Sequence, residues 1–116
     1  MFDGDCLFCR IIAGQIPSRR VHEDDQLIAF HDIAPRAPVH ILLAPRRHVP
    51  SVLDLTEADG PLLGRLFAVA AELARVQGLA ERGYRLVSNV GSDGGQTVDH
   101  LHVHLMGGRA FDWPPG

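Results

Sequence analysis

The longest regular rhythm of apolar positions lies in the middle of the chain. Leu62, Leu63, Leu66, Phe67, Ala70, Leu73 and Ala74 recur at i, i+3 and i+4, the spacing that gathers apolar side chains on one helix face. Thr56 with Asp59 resembles a capping box at the start of this helix, and Gly78 ends it. A shorter helix is predicted over Cys6–Ala13, capped by Asp5, ended by Gly14 and kept from resuming by Pro17. Short apolar runs supply strands. Val21–Glu23 and Leu27–Phe30 form a hairpin across Asp24, Asp25 and Gln26, and Val39–Ala44 follows a stiff, proline-bounded segment. Arg85–Asn89 and His100–Met106 add two more, separated by the loop Val90–Gln96. Five short strands with one long and one short helix predict an α+β fold on a mostly antiparallel sheet. No repeat, low-complexity run or linker breaks the pattern, so residues 1–116 are expected to form a single domain.

Composition then narrows the chemistry. Charged residues make up 22% of the chain, and no apolar run approaches the ~18–20 residues of a membrane span. A net charge of −3 argues against a nucleic-acid binder that works by neutralising phosphates. The acidic start has no basic stretch leading into an apolar one, so no secretory signal is expected and a reducing cytoplasm is the expected setting. All 11 basic residues are Arg. Without Lys there is no Schiff base, no Walker-type P-loop and no Lys general base. The chemistry is left to carboxylates, hydroxyls, two Cys and seven His, with no organic cofactor expected. Cys6 and Cys9, spaced C-x-x-C, are open to three readings: half of a metal site, a redox dithiol, or two small buried side chains.

Three of the seven His fall at His100, His102 and His104. On a strand the side chains alternate, so all three imidazoles are expected on one face, with Leu101, Val103 and Leu105 on the other as core. Such a row can be a solvated face, three ligands of a catalytic metal, or a phosphate-handling site in which one neutral imidazole attacks and its neighbours bind charge. The loop just upstream favours the last. Gly94, Gly95, Gln96 and Thr97 lead into the strand, and a glycine-rich loop can turn N–H groups toward an anion, with the Thr97 hydroxyl as a further donor.

The segment from His100 to Met106 also matches the H-φ-H-φ-H-φ-φ signature of the histidine triad (HIT) superfamily, and the chain resembles its Hint branch over nearly its whole length. Ile16-Pro17, Ala29–Ile33, Ala37–His40, Gly91–Thr97 and the ending Trp113–Gly116 match as well. The resemblance implies a HIT-like fold and a hydrolase acting at the α-phosphate of purine nucleoside phosphoramidates, AMP- or GMP-amines. His102 would attack phosphorus to give a nucleotidyl-histidine intermediate. His104, His40 and N–H groups of Gly95, Gln96 and Thr97 would steady the phosphoryl oxygens, Thr97 would also meet the leaving group, and Asn89 would contact the phosphate region. Asp32 would hold the ribose, and Leu7, Phe8, Ile11, Phe30 and Ile33 would form the base pocket. His22 and His31 are expected to be surface or scaffold residues.

Two further implications follow from the resemblance. Cys6 and Cys9 would join His48 and His100, the first histidine of the triad, around a structural zinc. The protein would be a two-fold homodimer whose C-terminal tail brings Trp113 to the leaving-group side of the neighbouring pocket. Two alternatives stand beside the phosphoramidase: a dinucleoside polyphosphate hydrolase, and a nucleotide-binding regulator or scaffold whose turnover is incidental.

Overall fold

The computed structural model describes residues 4–116. Helix α1 (Leu7–Ile12) leads into β1 (Arg20–Glu23), β2 (Leu27–His31) and β3 (Val39–Pro45); two 3-10 turns precede α2 (Gly60–Val76), and β4 (Tyr84–Val87) and β5 (Val103–Gly107) complete the chain. The five strands form one sheet in the order β1-β2-β3-β5-β4. Every neighbouring pair is antiparallel, as the alternating segments and short connections lead one to expect. No helix among the described residues is long and apolar enough to cross a membrane.

The sheet is covered on both faces, and that decides where chemistry can sit. On one face Leu27, Ala29, Ile41, Leu43, Val103 and Leu105 pack against Leu66, Val69, Ala70, Leu73 and Ala74 of α2. On the other, Ile28, Phe30, Leu42 and Ala44 pack against Phe8, Cys9 and Ile11 of α1. The inner strands β2 and β3 are therefore apolar along nearly their whole length. Each fully buried Leu or Ile contributes about 1.5–3 kcal/mol, so Ile41, Leu42 and Leu43 alone fix β3 firmly around His40.

Several boundaries differ from the sequence expectation, each for a local reason. The N-cap of α1 is Cys6, whose Sγ accepts from Cys9 N–H at 3.3 Å, and not Asp5. Thr56 and Asp59 open a 3-10 turn, with Asp59 accepting the Thr56 N–H at 2.9 Å, and α2 begins one residue later at Gly60. Strand β4 spans Tyr84–Val87 and does not reach Asn89. Strand β5 begins only at Val103, so His100 and His102 precede the ladder. The helix stripe is also wider than the core it meets: Phe67 is 49% exposed and Leu63 only half-buried.

Candidate functional site

The site lies on the face of the sheet away from α2. Alternation along β3 turns Ile41 and Leu43 to α2 and His40 and Leu42 to the opposite face. The register pairs Leu42 with His104 and His40 with Met106, which makes His40 and His104 diagonal neighbours. Their rings meet, with His40 Nε2 2.9 Å from His104 Nδ1. His102, just before β5, lies beside His104 with ring centroids 5.0 Å apart.

Backbone groups assign the ring protons. The Arg36 N–H donates to His40 Nδ1 at 3.0 Å, so neutral His40 carries its proton on Nε2 and donates it to His104 Nδ1. His104 must then carry its own proton on Nε2. His102 Nδ1 lies 2.7 Å from the His100 carbonyl, which can only accept, so His102 is protonated at Nδ1 and keeps a lone pair on Nε2. Burial keeps these rings neutral. It is the leading cause lowering the pKa of His40, His102 and His104, and His104 falls to about 4 with further help from His102 and His40. Asp32 pulls all three back up, but less.

His100 shares this face of the sheet, but its ring turns to the two cysteines. Its side chain is solvent-free and its Nδ1 lies 3.3 Å from Cys6 Sγ, 3.6 Å from Cys9 Sγ and 3.3 Å from His48 Nδ1. Cys9 Sγ is 3.4 Å from His48 Nδ1. These four ligand atoms lie within 4.8 Å of one another, so Cys6, Cys9, His48 and His100 fit the S₂N₂ donor set of tetrahedral zinc. The tautomer fits too: His100 Nε2 donates to the Pro45 carbonyl at 2.8 Å, leaving the Nδ1 lone pair for a cation. His100 therefore belongs to this cluster and stands apart from His40, His102 and His104. Phe8 forms the partition, with ring centroids 6.0 Å from His100 and 4.8 Å from His102.

Asp32, His40 and His104 also present ligand atoms within 4.8 Å of one another. The Arg36 N–H argues against a metal there. With Nδ1 accepting, neutral His40 has its proton on Nε2, where a cation would need the lone pair. A metal held by the three histidines of the triad is likewise excluded by geometry, since His100 points into the thiol cluster.

An apolar cleft of about 250 Å³ opens beside these imidazoles. Leu7, Phe8, Ile11, Phe30, Asp32, Ile33, Thr97, His102 and His104 line it. Ile33 is 98% exposed, an apolar side chain left for a ligand or partner to cover. Asp32 accepts the Ala34 N–H on Oδ1 at 2.8 Å, while Oδ2 lies 3.4 Å from His40 Nε2. Asp32 thus caps the turn and also faces the site.

The glycine loop is used differently from the expectation. Gly95 takes φ +81°, and a Cβ on Gly94 would lie 2.2 Å from the Val90 carbonyl, so both glycines serve the tight turn itself. The Gly95 and Gln96 N–H groups donate within the loop, to Ser92 O and Gly91 O. They are therefore committed and do not face an anion. Gln96 is a bolt: its amide donates to Pro50 O and Val98 O and accepts the Gly91 N–H. Of that trio only Thr97 lines the cleft. Asn89, two residues beyond β4, is half-buried and outside the cleft lining. Trp113 is 83% exposed, and its chain is held by Arg85 donating to the Asp112 carbonyl.

Sequence reasoning missed Ile16, Pro17, Ser18, His31, Leu42 and Val98 as cleft residues. Leu42 was readable, two residues from His40 on an alternating strand. Ser18 was not; its Oγ is the buried side-chain oxygen left without a hydrogen-bond partner among the described residues.

A two-sided antiparallel sheet carrying neutral, tautomer-fixed imidazoles beside an apolar cleft defines a site suited to nucleophilic phosphate chemistry. Residues 13–111 match the HIT domain model, and the chain belongs to that family. It is 49% identical over 112 residues to an uncharacterized HIT-like protein of Synechococcus elongatus, covering 97% of each chain. Its fold matches a HIT family hydrolase from Legionella pneumophila at TM-score 0.95 and 49% identity, covering 97% of this chain and 100% of that one. It also matches a histidine triad nucleotide-binding protein from Candida albicans at TM-score 0.81 and 32% identity, over 95% and 83% of the two chains.

Proposed function

We propose that this protein hydrolyses the bond between an amine and the α-phosphate of a purine nucleoside monophosphate, through a nucleotidyl intermediate on His102. The observation that carries this reading is the tautomer of His102. A backbone carbonyl holds its Nδ1 proton, so a neutral ring lining the cleft presents an Nε2 lone pair. The relatives named as a hydrolase and as a nucleotide-binding protein support the same class.

The residues divide the work as follows. The base lies in the apolar cleft between Phe8, Ile11, Phe30 and Ile33, and Asp32 accepts from the ribose hydroxyls. His102 Nε2 attacks phosphorus while the amine departs, taking a proton from solvent by way of the Thr97 hydroxyl. As His102 becomes cationic, its Nδ1–H bond to the His100 carbonyl strengthens. His104 donates its Nε2 proton to a phosphoryl oxygen, and His40 holds His104 in that tautomer. Water then adds to phosphorus, the bond to His102 breaks, and the nucleoside monophosphate is released.

Cys6, Cys9, His48 and His100 would hold a zinc ion, which would stabilise the fold around them; a reducing cytoplasm would keep both thiols available as ligands. The reading includes a homodimer. Strand β4 ends the sheet, α2 leaves Phe67 half exposed, and Trp113 packs on little of its own chain, so a second copy has apolar surface to cover.

The test is steady-state turnover of adenosine and guanosine phosphoramidates beside diadenosine polyphosphates, with His102→Ala as the second arm. Phosphoramidates should be preferred, and His102→Ala should lose several orders of magnitude in kcat while still binding AMP. Faster turnover of the polyphosphates would reassign the substrate, and label trapped on His104 would reassign the nucleophile.

A further inference from the structure

One peptide plane joins the thiol cluster to the nucleophile. The His100 carbonyl accepts from His102 Nδ1 at 2.7 Å, and the N–H at the other edge of the same plane, on Leu101, donates to the Val49 carbonyl at 2.6 Å. One cluster residue supplies the carbonyl of this plane and another adjoins the residue that accepts its N–H. His100 precedes Leu101 and His48 precedes Val49, and the rings of His48 and His100 meet at 3.3 Å between Nδ1 atoms. Pro45 O fixes the far side of the His100 ring at 2.8 Å. The cluster thus lies beside the hydrogen bond that ties Val49 to the 100–101 plane, and that plane carries the carbonyl on which the His102 ring is held.

We propose that the cation bound by Cys6, Cys9, His48 and His100 sets the position of the His102 ring, with His100 as a positioning residue acting through the 100–101 peptide plane. This rests on His102 being the nucleophile. Without a cation, the side chains of the two thiols and two imidazoles meet at 3.3–3.6 Å. Metal–ligand bonds of about 2.0–2.3 Å replace those contacts with fixed geometry. A shift of about 1 Å at a reacting atom costs on the order of 100-fold in rate. The cluster thus acts on kcat, while the cleft that grips the nucleotide is built from Phe30, Ile33 and other residues outside it.

The decisive variant is His48→Asn in the full-length, zinc-loaded protein, since His48 is half-buried and does not line the cleft. Two readouts are taken: kcat and KM on an adenosine phosphoramidate, and the ring ¹⁵N shifts of His102, which report its tautomer without turnover. The variant should lower kcat about ten- to 100-fold with AMP affinity held within about twofold, and His102 should lose its single Nδ1–H pattern. Val69→Ala, a cavity in the helix-covered core, controls for stability and should leave kcat unchanged at temperatures below its melting point. If His48→Asn does not fold, zinc is removed from the wild type with a chelator and the same two readouts are taken. An unchanged His102 tautomer overturns the clamp. A changed tautomer with unchanged kcat instead overturns His102 as the nucleophile, so the two failures are distinguishable.

Discussion

Gln96 separates a ligand from a scaffold residue. Its amide makes three hydrogen bonds: to Pro50 O at 2.8 Å, to Val98 O at 3.0 Å, and from Gly91 N–H at 3.0 Å. Each is worth a net of about 0.5–1.5 kcal/mol, and partial exposure places them toward the low end, so Gln96→Ala should cost about 1.5–3 kcal/mol. With a urea m-value of about 1.5 kcal/mol/M for a domain this size, the unfolding midpoint should fall by about 1–2 M. Gln96→Glu should be no better, because it places a carboxylate against two carbonyls. Far-UV circular dichroism is the proper assay, since Trp113 is too exposed to report on folding. Activity should fall modestly, through looser placement of Thr97. A loss of about 100-fold in kcat/KM with an unmoved urea midpoint would refute this reasoning and return Gln96 to the phosphate.

Four other outcomes are expected. His104→Gln retains an acceptor toward His40 and a donor toward the phosphoryl group, so it should keep most of the activity, whereas His104→Ala should lose about 10²–10³ in kcat. Because the folded pKa of His104 is lowered to about 4, its contribution to stability is present above pH 6.5 and lost as pH falls from 6.5 toward 4. Urea midpoints of wild type and His104→Gln should therefore diverge at neutral pH and converge toward pH 4. Purified protein should carry about one zinc per chain, and Cys6→Ser should lower Tm more than it weakens AMP binding; metal-free protein with unchanged melting would defeat that assignment. Deleting Trp113–Gly116 should alter the ratio of kcat/KM values across a series of amine leaving groups with AMP affinity nearly constant, and sedimentation should find a dimer at micromolar concentration.

What could be read from the chain was whatever depends on local period. Alternation at Leu101, Val103 and Leu105 identified core, and the i, i+4 stripe identified α2. Families of matching motifs carried Cys6, Cys9, His48 and His100 to one place, and the structure brings their ligand atoms together. Periodicity alone did not separate His100 from its neighbours. Alternation puts it on the face of His102 and His104, where it shares Phe8 with His102, but only the cysteine pair and His48 show why its ring turns to the thiols. Sequence reading failed at the glycine loop, where composition showed a turn rich in N–H groups but not that Ser92 O and Gly91 O already occupy two of them.

Three imidazoles, spaced alike in the sequence, would take different roles in the proposed reaction because each meets a different partner. His100 donates from Nε2 to a carbonyl 55 residues away and offers Nδ1 to the thiol cluster. His102 donates from Nδ1 to a carbonyl two residues away and offers Nε2 to the cleft. His104 accepts at Nδ1 from His40, itself set by the Arg36 N–H, and so offers a proton in place of a lone pair. His100 and His104 thus share the Nε2–H arrangement and differ in what their Nδ1 meets, while His102 carries its proton on Nδ1. An uncharged ring is required for each arrangement to hold, and burial supplies it by lowering the pKa of all three. A substitution that leaves every histidine in place but removes a backbone partner's alignment should therefore be as damaging as replacing the histidine, because it is the alignment that distinguishes the three roles.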